Sequence, residues 1–508
     1  MVKNENSRFS DYLAIFGSLA YVIMMVGLIT LIPLLLLFFY PEEAYQLPCF
    51  ALPGVLAIFS GYLIKLFTPR HSIKNLERHQ GSVIVLLIWF VSILIGAIPF
   101  VMSGNYTFTQ AIFETTSGFT TTGFTVTDVE NSTHMILLYR SILHLFGGVG
   151  LVLILSSILS NVYGMQLFSA EGHTDRLTPS LIHSARTIMY IYLGSIISGT
   201  ILYVTFHMSL FDAINHAISA VATGGFSTKE NSIGYWCAER VGLSNSIGID
   251  ITTIILMLVG STNFMATLAL LRGKGRDFIT HSETKVTIFL LSLATPLITV
   301  VLLTSGICDS VLSAIDNATF QVVSVISTTG LSSVDYFLPK LGYATVPVLL
   351  MMIVGGHTGS TAGGAKAGRI ALAFKSLYYD VRENIVPRRI IKSRSINKFG
   401  KQMTITKDDQ SQNYTYLLIY IMIGFLGAFG LTLNGYGFRD SMIEFFSALG
   451  TVGMSIGIIG PDMNNCTMWI FIVGMIIARL EVYIIILALA RIGTDIKDSI
   501  SEMRNKKK

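Results

Sequence analysis

The sequence predicts an all-α membrane protein: two leading transmembrane helices, then four units of helix, pore loop and helix around a pseudo-fourfold pore. Composition is the first reason, because 52% of the 508 residues are hydrophobic, only 13% are charged, and the mean hydropathy is +0.63. So little charge cannot cover a water-soluble globule of this size, and a bilayer is the natural solvent. The other two reasons are long apolar runs and a short motif that recurs four times.

The hydropathy pattern divides the chain in order. A helix that crosses about 30 Å of hydrocarbon needs roughly 20 apolar residues, and the first runs of that length lie at about 13–39 and 47–67. From residue 82 a long apolar run, a short amphipathic segment and a second long run recur four times. We predict a leading two-helix domain (1–80), pore unit 1 (81–163), pore unit 2 (164–276), pore unit 3 with an intramembrane loop (277–380), a basic cytoplasmic linker (381–413), and pore unit 4 with a basic tail (414–508).

Two leading helices and two in each unit give ten predicted spans, with both termini on one side of the membrane. The connectors on that side are basic, for example Arg272, Lys274 and Arg276 after unit 2. Because lysine and arginine concentrate in cytoplasmic loops, we expect a multi-pass protein of the cytoplasmic (inner) membrane with both termini in the cytoplasm. The net charge of +5 is therefore a topology signal, and nucleic acid is not an expected partner.

Each unit contains a segment that reads Thr-x-Gly-apolar-hydroxyl. The four segments align without a gap, about 100 to 125 residues apart, and a serine always stands four residues before the leading threonine. One such segment alone could equally be an ordinary turn or a small-residue helix contact, but four aligned segments favour a repeated unit. They are Thr121-Thr122-Gly123-Phe124-Thr125, Thr223-Gly224-Gly225-Phe226-Ser227, Thr328-Thr329-Gly330-Leu331-Ser332 and Thr451-Val452-Gly453-Met454-Ser455.

A ring of four such segments can bind a dehydrated cation, because backbone carbonyl groups can replace its water shell. The backbone then needs unusual angles, which a glycine at the same place in all four segments tolerates. Seven residues before the leading threonines stand Glu114, His216, Gln321 and Glu444. We expect the two glutamates to be buried supports that accept backbone N–H hydrogen bonds, and not ligands of the ion.

One aligned position near the start of each short helix is also polar. Asp212, Asn317 and Asp440 occupy it in units 2 to 4, and Gln110 is the weaker residue in unit 1. We predict that these side chains cap the helices. The partially negative C-terminal helix ends would then point toward the ion path and favour a cation.

A glycine-rich segment, residues 355–366, interrupts the second helix of unit 3. Five glycines in twelve residues make a regular helix improbable. Broken backbone at membrane depth is tolerated only where it lines a cavity or packs in protein, so we expect this segment below the four-segment ring. A phosphate-binding loop is the alternative, but the GxxxxGK[ST] spacing is absent.

A charged residue, Arg479, lies inside the last apolar run at about 468–490. A charge at that depth costs at least ~2.5 kcal/mol and normally faces an interior cavity. A structural ion pair with Glu481 is the alternative, although residues two apart on a helix do not face each other. We therefore treat Arg479 as a functional candidate.

Taken together, these residues resemble the Trk/Ktr/HKT superfamily of potassium transporters over nearly the whole chain. The segment Thr451-Val452-Gly453-Met454 is similar to the potassium-channel filter sequence, and residues 115–123 resemble the first pore loop of the TrkH/TrkG potassium uptake branch. Potassium-selective members carry glycine in all four loops, whereas sodium-preferring relatives have serine in the first. By this resemblance we assign potassium binding to Thr121, Thr122, Gly123, Thr223, Gly224, Gly225, Thr328, Thr329, Gly330, Thr451, Val452 and Gly453.

The same resemblance implies a gate and two partners. The glycine-rich segment resembles the family's intramembrane gating loop, and Arg479 its pore arginine below the filter. A homodimer in the membrane lipid and a cytoplasmic nucleotide-binding regulatory subunit of the TrkA type are the implied partners, and the potassium ion is transported, with no cofactor. The gating residues assigned in this way are Gly355, Gly356, Gly359, Ser360, Thr361, Gly363, Gly364, Lys366 and Arg479.

Other functions stay open to different degrees. A sodium-permeable protein, or a symporter that couples potassium to another cation, keeps the same fold. A membrane enzyme would need a catalytic or metal site, but His144, His207 and His216 show no HExxH-like spacing, and the four cysteines show no CxxC spacing. A purely structural membrane protein would not require four aligned segments. We therefore expect a transport protein and not an enzyme.

Overall fold

The computed structural model describes residues 5–68, 78–150, 181–236, 238–334, 337–339, 342–385 and 394–480, with short stretches between 482 and 494. These residues are predominantly helical, which confirms the predicted all-α membrane class. The leading helices are α1 (Glu5–Leu31) and α2 (Leu47–Phe67), joined by two 3-10 helices at Ile32–Phe38 and Pro41–Gln46.

Small residues bring the two leading helices close together. A methyl group on Gly27 would lie 2.7 Å from the carbonyl oxygen of Gly54, and one on Gly61 would lie 2.7 Å from that of Ala20. Both distances are too short for a real side chain, so only glycine permits this approach. The outer faces of these helices keep many exposed apolar side chains, such as Leu56 and Phe59, as lipid contact requires.

The four units follow the predicted order of long helix, short helix and second helix. Unit 1 consists of α3 (Arg78–Met102), α4 (Phe108–Phe119) and α5 (His134–Val149). Unit 2 consists of α6 (Leu181–Thr205), α7 (Leu210–Val221), α8 (Ala238–Val241), α9 (Leu243–Ser261) and α10 (Phe264–Leu271), and the short α11 (Gly275–Thr280) follows it. Unit 3 consists of α12 (Ser282–Thr304), α13 (Val311–Ile326), α14 (Thr345–Val354) and α15 (Ala367–Ile385). Unit 4 consists of α16 (Lys407–Leu433), α17 (Phe438–Leu449) and α18 (Asn465–Leu480).

The short helices lie at the centre of the fold. In every unit the first long helix packs along the short one, in the pairs α3–α4, α6–α7, α12–α13 and α16–α17. All residues of α4 from Ala111 to Phe119 are buried, as are all residues of α17 from Ile443 to Leu449. Because these helices end at the Thr-x-Gly segments, the fold places the four segments in its interior.

Seven helices among the described residues are long and apolar enough to cross a membrane, where the sequence predicts ten spans. The other three are the second helices of units 1, 3 and 4. Helix α5 is shorter, α14 stops at the glycine-rich segment, and α18 is bent by 102° relative to Ile484–Ala490. Broken backbone thus replaces continuous helix in unit 3, and the ten-span count stays a prediction.

The basic linker contains the one β-sheet in the described part of the chain. Strands β1 (Ser395–Lys398) and β2 (Lys401–Thr404) form an antiparallel hairpin in which Ser395 pairs with Thr404. Its turn residues Phe399 and Gly400 both have positive φ. This hairpin was not predicted from the sequence. It ties the linker to the start of α12, because the Ser282 hydroxyl donates to the Asn397 carbonyl at 2.9 Å.

Candidate functional site

The four Thr-x-Gly segments share one backbone conformation. The leading threonine has φ between 50° and 55°, and the glycine two residues later has φ between 78° and 87°. A left-handed threonine is strained and persists only where the surrounding structure holds it. The residues are Thr121, Thr223, Thr328 and Thr451, with Gly123, Gly225, Gly330 and Gly453.

The glycines of these segments form a closed ring of contacts. A methyl group on any of them would overlap a carbonyl oxygen of the next unit, in the pairs Gly123 with Gly224, Gly225 with Thr329, Gly330 with Val452, and Gly453 with Thr122. Unit 1 thus contacts unit 2, unit 2 contacts unit 3, unit 3 contacts unit 4, and unit 4 returns to unit 1. Only glycine fits at these positions, both by conformation and by space.

Backbone hydrogen bonds hold each segment to its short helix. The N–H after the leading threonine donates to the carbonyl of the aligned serine five residues earlier, at 3.0, 2.9, 3.0 and 2.8 Å in units 1 to 4. The hydroxyls of Ser324 and Ser447 also donate to the Leu331 and Met454 carbonyls, at 2.6 and 2.8 Å. Helix and segment are therefore one rigid piece in each unit.

The aligned position seven residues before the leading threonine supports the far end of each segment. Glu114 accepts a hydrogen bond from the Thr125 hydroxyl at 2.9 Å and from the Val126 N–H at 3.0 Å. Glu444 accepts from the Ser455 hydroxyl at 2.6 Å and the Ile456 N–H at 2.8 Å. Both carboxylates are fully buried, so the predicted support contacts are confirmed. At the same position, the His216 Nε2 lies 3.0 Å from the Ser227 hydroxyl, and the Gln321 Nε2 donates to the Ser332 hydroxyl at 2.7 Å.

Arg140 is a central residue of this site that the sequence reading missed. Its Nε donates to Glu114 at 2.7 Å, its Nη1 donates to the Ser227 carbonyl at 3.1 Å, and its guanidinium lies 4.0 Å from the Phe226 ring centroid. It is 1% exposed. Arg140 therefore joins the segments of units 1 and 2, and an arginine in an apolar helix was the signal that could have found it.

None of the residues predicted to cap the short helices is the N-cap residue itself. Gln110 nevertheless completes a capping box, because its Oε1 accepts a hydrogen bond from the Thr107 N–H at 2.8 Å. The N-caps are Thr107, Ser209 and Ser310, whose side chains accept from the N–H three residues on, and Gly437, which has no capping side chain. Gln110, Asp212 and Asp440 are the third residues of their helices, and Asn317 lies deeper because α13 begins earlier, at Val311. Asp212 and Asn317 bond instead to the hydroxyls of Thr228 and Ser333, at 2.6 and 2.7 Å.

The glycine-rich segment is irregular, as predicted. Helix α14 ends at Val354 and α15 begins at Ala367, and between them Gly355, Gly359, Gly364 and Lys366 all have positive φ. Gly355 and Gly364 pack against each other so closely that a methyl on Gly364 would lie 2.7 Å from the Gly355 Cα. The glycines are therefore required where the chain turns back on itself.

This segment touches the leading threonines of three units. The Thr361 hydroxyl lies 3.1 Å from the Thr223 hydroxyl, and the Gly363 N–H donates to the Thr328 hydroxyl at 2.8 Å. A methyl on Gly363 would overlap the Thr451 hydroxyl. The segment therefore lies directly against the ring, where the sequence placed it.

A break in the second helix of unit 2 holds the segment from the side. Helix α9 ends at Ser261 and α10 begins at Phe264, and the exposed backbone groups bond to the segment. The His357 N–H donates to the Ser261 carbonyl at 2.9 Å, and the Phe264 N–H donates to the Gly359 carbonyl at 3.3 Å. Within the segment, the Ser360 hydroxyl donates to the His357 carbonyl at 2.7 Å, Gly356 packs on Ala362 and Ser261, and the Lys366 ammonium donates to the Ala362 carbonyl.

Arg479 also bonds to the segment. Its Nη1 donates to the Thr361 carbonyl at 3.1 Å, and its Nη2 donates to the carbonyls of Gly147 and, at 3.3 Å, Gly148 at the C-terminus of α5. Carbonyls in the last turn of a helix carry partial negative charge and favour a cation there. Arg479 thus connects units 1, 3 and 4, while Glu481, its alternative partner, lies outside the described residues.

Fold and site together define a multi-pass membrane protein of four related units whose Thr-x-Gly segments meet in one ring. A family model described as TrkH, cation transport protein, matches residues 50–495. The chain belongs to this family, and it is therefore a transporter and not an enzyme.

Individual proteins that are similar to this chain are also cation transporters by name. The chain is 28% identical to an uncharacterized cation transporter of Methanocaldococcus jannaschii over 93% of its length and 94% of the relative's. It is 29% identical to the Trk system potassium uptake protein TrkH of Halomonas elongata, over 92% and 96%. The crystal structure of the potassium transporter TrkH from Vibrio parahaemolyticus superposes with a TM-score of 0.81 at 25% identity, covering 94% of this chain and 98% of that one.

Proposed function

We propose that this protein takes up potassium selectively through the ring of four Thr-x-Gly segments. The closed set of contacts from unit to unit carries the proposal, because each ring glycine lies against a carbonyl oxygen of the next unit. In the proposed filter, carbonyl oxygens from the four units replace the hydration shell of a dehydrated cation. The potassium ligands are the segment residues assigned above, and relatives named as potassium uptake proteins support potassium as the ion.

The glycine-rich segment and Arg479 form the gate of the proposed pathway. The segment contacts Thr223, Thr328 and Thr451, so an ion that leaves the ring meets it first. Arg479 places a positive charge beside it, which opposes cation passage, and its bond to Thr361 holds the segment in place. Opening requires that this bond and the Thr361 contacts break.

The partners and the membrane are part of the proposal. The protein works as a homodimer in the cytoplasmic membrane with both termini in the cytoplasm, and a nucleotide-binding subunit of the TrkA type controls the gate. The hairpin of the basic linker is bonded to the start of α12, which offers such a subunit a contact close to the segment. Blue-native electrophoresis tests the homodimer, and a pull-down with the regulatory subunit tests that partner.

The experiment is cation flux into proteoliposomes that contain this chain alone, comparing potassium, rubidium, sodium and lithium. We expect potassium and rubidium to enter and sodium and lithium to be excluded, and Gly330→Ser to degrade this preference. Gly306→Ser is the matched control, because Gly306 has φ of 68° but nothing within 4 Å of an added methyl. Equal flux of all four cations, unchanged by Gly330→Ser, would contradict the proposal.

The alternative is a sodium-permeable protein, or a symporter that couples potassium to sodium or protons. Gly123→Ser tests the sodium-permeable alternative. A methyl group at Gly123 would overlap the Gly224 carbonyl, so in a potassium-selective protein the substitution should lower the preference for potassium over sodium. Retention of the full preference would count against the filter. Potassium flux that follows an imposed proton or sodium gradient would indicate coupling.

A further inference from the structure

Three buried side chains converge where the glycine-rich segment meets the start of α12. They are His281, Glu283 and His357, each at most 3% exposed. One nitrogen or oxygen atom from each lies within 4.8 Å of the other two. Among the residues that the structure describes, no other three His, Cys, Asp or Glu side chains converge in this way.

The spacing of these atoms leaves room for a small cation. The Glu283 Oε2 lies 3.7 Å from the His281 Nε2 and 3.8 Å from the His357 Nδ1, which is longer than a direct hydrogen bond of about 2.7–3.2 Å. Ligands at roughly 2.0–2.2 Å from a shared zinc ion are separated by distances only slightly shorter. The His281 Nε2 is buried without a hydrogen-bond partner, and such a group calls for a missing ion or water.

Outer contacts orient two of the three side chains. The His357 Nε2 lies 3.0 Å from the Thr287 hydroxyl, and the Thr358 N–H donates to Glu283 at 3.0 Å. Ligands of metal ions are commonly held by such secondary bonds. Gly368 packs on the Glu283 carboxylate so closely that a methyl there would overlap it, so the carboxylate is fixed.

We propose that His281, Glu283 and His357 bind a divalent transition-metal cation of the zinc class. Imidazole nitrogen together with carboxylate oxygen suits zinc, copper, nickel and iron, and three protein ligands leave a fourth position for water. This donor set differs from the all-oxygen ring for potassium. The site joins the glycine-rich segment, through His357, to the chain that enters α12, through His281.

Coordination would replace two backbone contacts. The Phe399 N–H faces the His281 Nδ1 at 3.3 Å, and the Asn263 N–H faces the His357 Nδ1 at 3.4 Å. Both are long hydrogen bonds. Metal at the His281 Nε2 requires a proton on Nδ1, and metal at the His357 Nδ1 uses its lone pair, so each N–H must move. Binding is therefore coupled to the linker hairpin, where Phe399 stacks on His281 at 4.5 Å.

Metal binding is measured on the full-length chain, purified in detergent with a tag that contains no histidine and stripped with a chelator. Zinc is titrated in competition with a zinc indicator, and bound metal is counted by mass spectrometry. We expect one zinc ion per chain, and at least about 100-fold weaker binding in His281→Gln and in Glu283→Gln. His134→Gln is the control, because its partner Glu43 provides only one further ligand. Size-exclusion profiles identify variants that misfold.

Absence of stoichiometric zinc in the wild type, or equal affinity in the wild type and both variants, would overturn the site. A second measurement concerns regulation and rests on the proposed function. Zinc on the cytoplasmic face should change potassium flux in the wild type but not in Glu283→Gln. If the wild type carries no flux while zinc still binds, the transport proposal fails and the metal site stands.

Discussion

The guanidinium of Arg479 donates a hydrogen bond to the carbonyl oxygen of Thr361 at 3.1 Å. Thr361 in turn bonds through its hydroxyl to the Val221 and Gly260 carbonyls at 3.1 and 2.9 Å, and contacts the Thr223 hydroxyl at 3.1 Å. One residue of the glycine-rich segment thus joins the arginine of unit 4 to the ring segment of unit 2.

Replacing Arg479 by glutamine should increase potassium flux in the absence of a regulatory subunit. The substitution removes the positive charge and the bond that holds Thr361. A hydrogen bond to a charged group contributes about 1.5–3 kcal/mol, so we expect flux to rise by about tenfold or more. Arg439→Gln is the control, since Arg439 is an exposed arginine of α17 bonded to Thr345. Equal flux in both variants would contradict the gating role.

Thr361→Val should also favour the open state, with a smaller effect. Valine keeps the shape of threonine but loses the hydroxyl, and neutral hydrogen bonds contribute about 0.5–1.5 kcal/mol each. We expect basal flux in liposomes to rise roughly fivefold. Thr304→Val, at the end of α12, removes only local contacts with the Val300 and Val301 carbonyls and should leave flux unchanged. If both substitutions had the same effect, Thr361 would have no special role.

The two buried glutamates should differ in their effect on stability. Glu114→Gln leaves Arg140 buried without its carboxylate, and breaking a buried ion pair costs about 3–5 kcal/mol. Glu444 accepts only hydroxyl and backbone hydrogen bonds, so Glu444→Gln should cost about 1–3 kcal/mol. Thermal unfolding in detergent measures the difference. The double variant with Glu114→Gln and Arg140→Met should recover part of the loss, and a larger loss from Glu444→Gln would contradict this account.

Repetition made much of the ring predictable. Four aligned Thr-x-Gly segments indicated four equivalent units. The glycines of these segments are necessary because each lies against a carbonyl oxygen of the next unit. The supports Glu114 and Glu444 were predictable for the same reason. The glycine-rich segment was predictable because glycine density alone disfavours a helix.

Contacts between units were not predictable from one sequence. The bond from Arg140 to the Ser227 carbonyl spans 87 residues, and that from Arg479 to Thr361 spans 118. Neither spacing carries a local signal. The helix caps were an error of register, because the N-cap residues Thr107 and Ser209 stand three residues before Gln110 and Asp212. Thr107 and Gln110 form a capping box.

The position of the bound ion decides whether the ring is the filter. Thallium substitutes for potassium and scatters strongly, so anomalous diffraction from crystals grown in a thallium salt reveals where it binds. We expect a peak on the axis enclosed by the carbonyl oxygens of Thr122, Gly224, Thr329 and Val452, and its loss in Gly330→Ser crystals. Thallium elsewhere in the structure and none within this ring would show that the ring is not the filter.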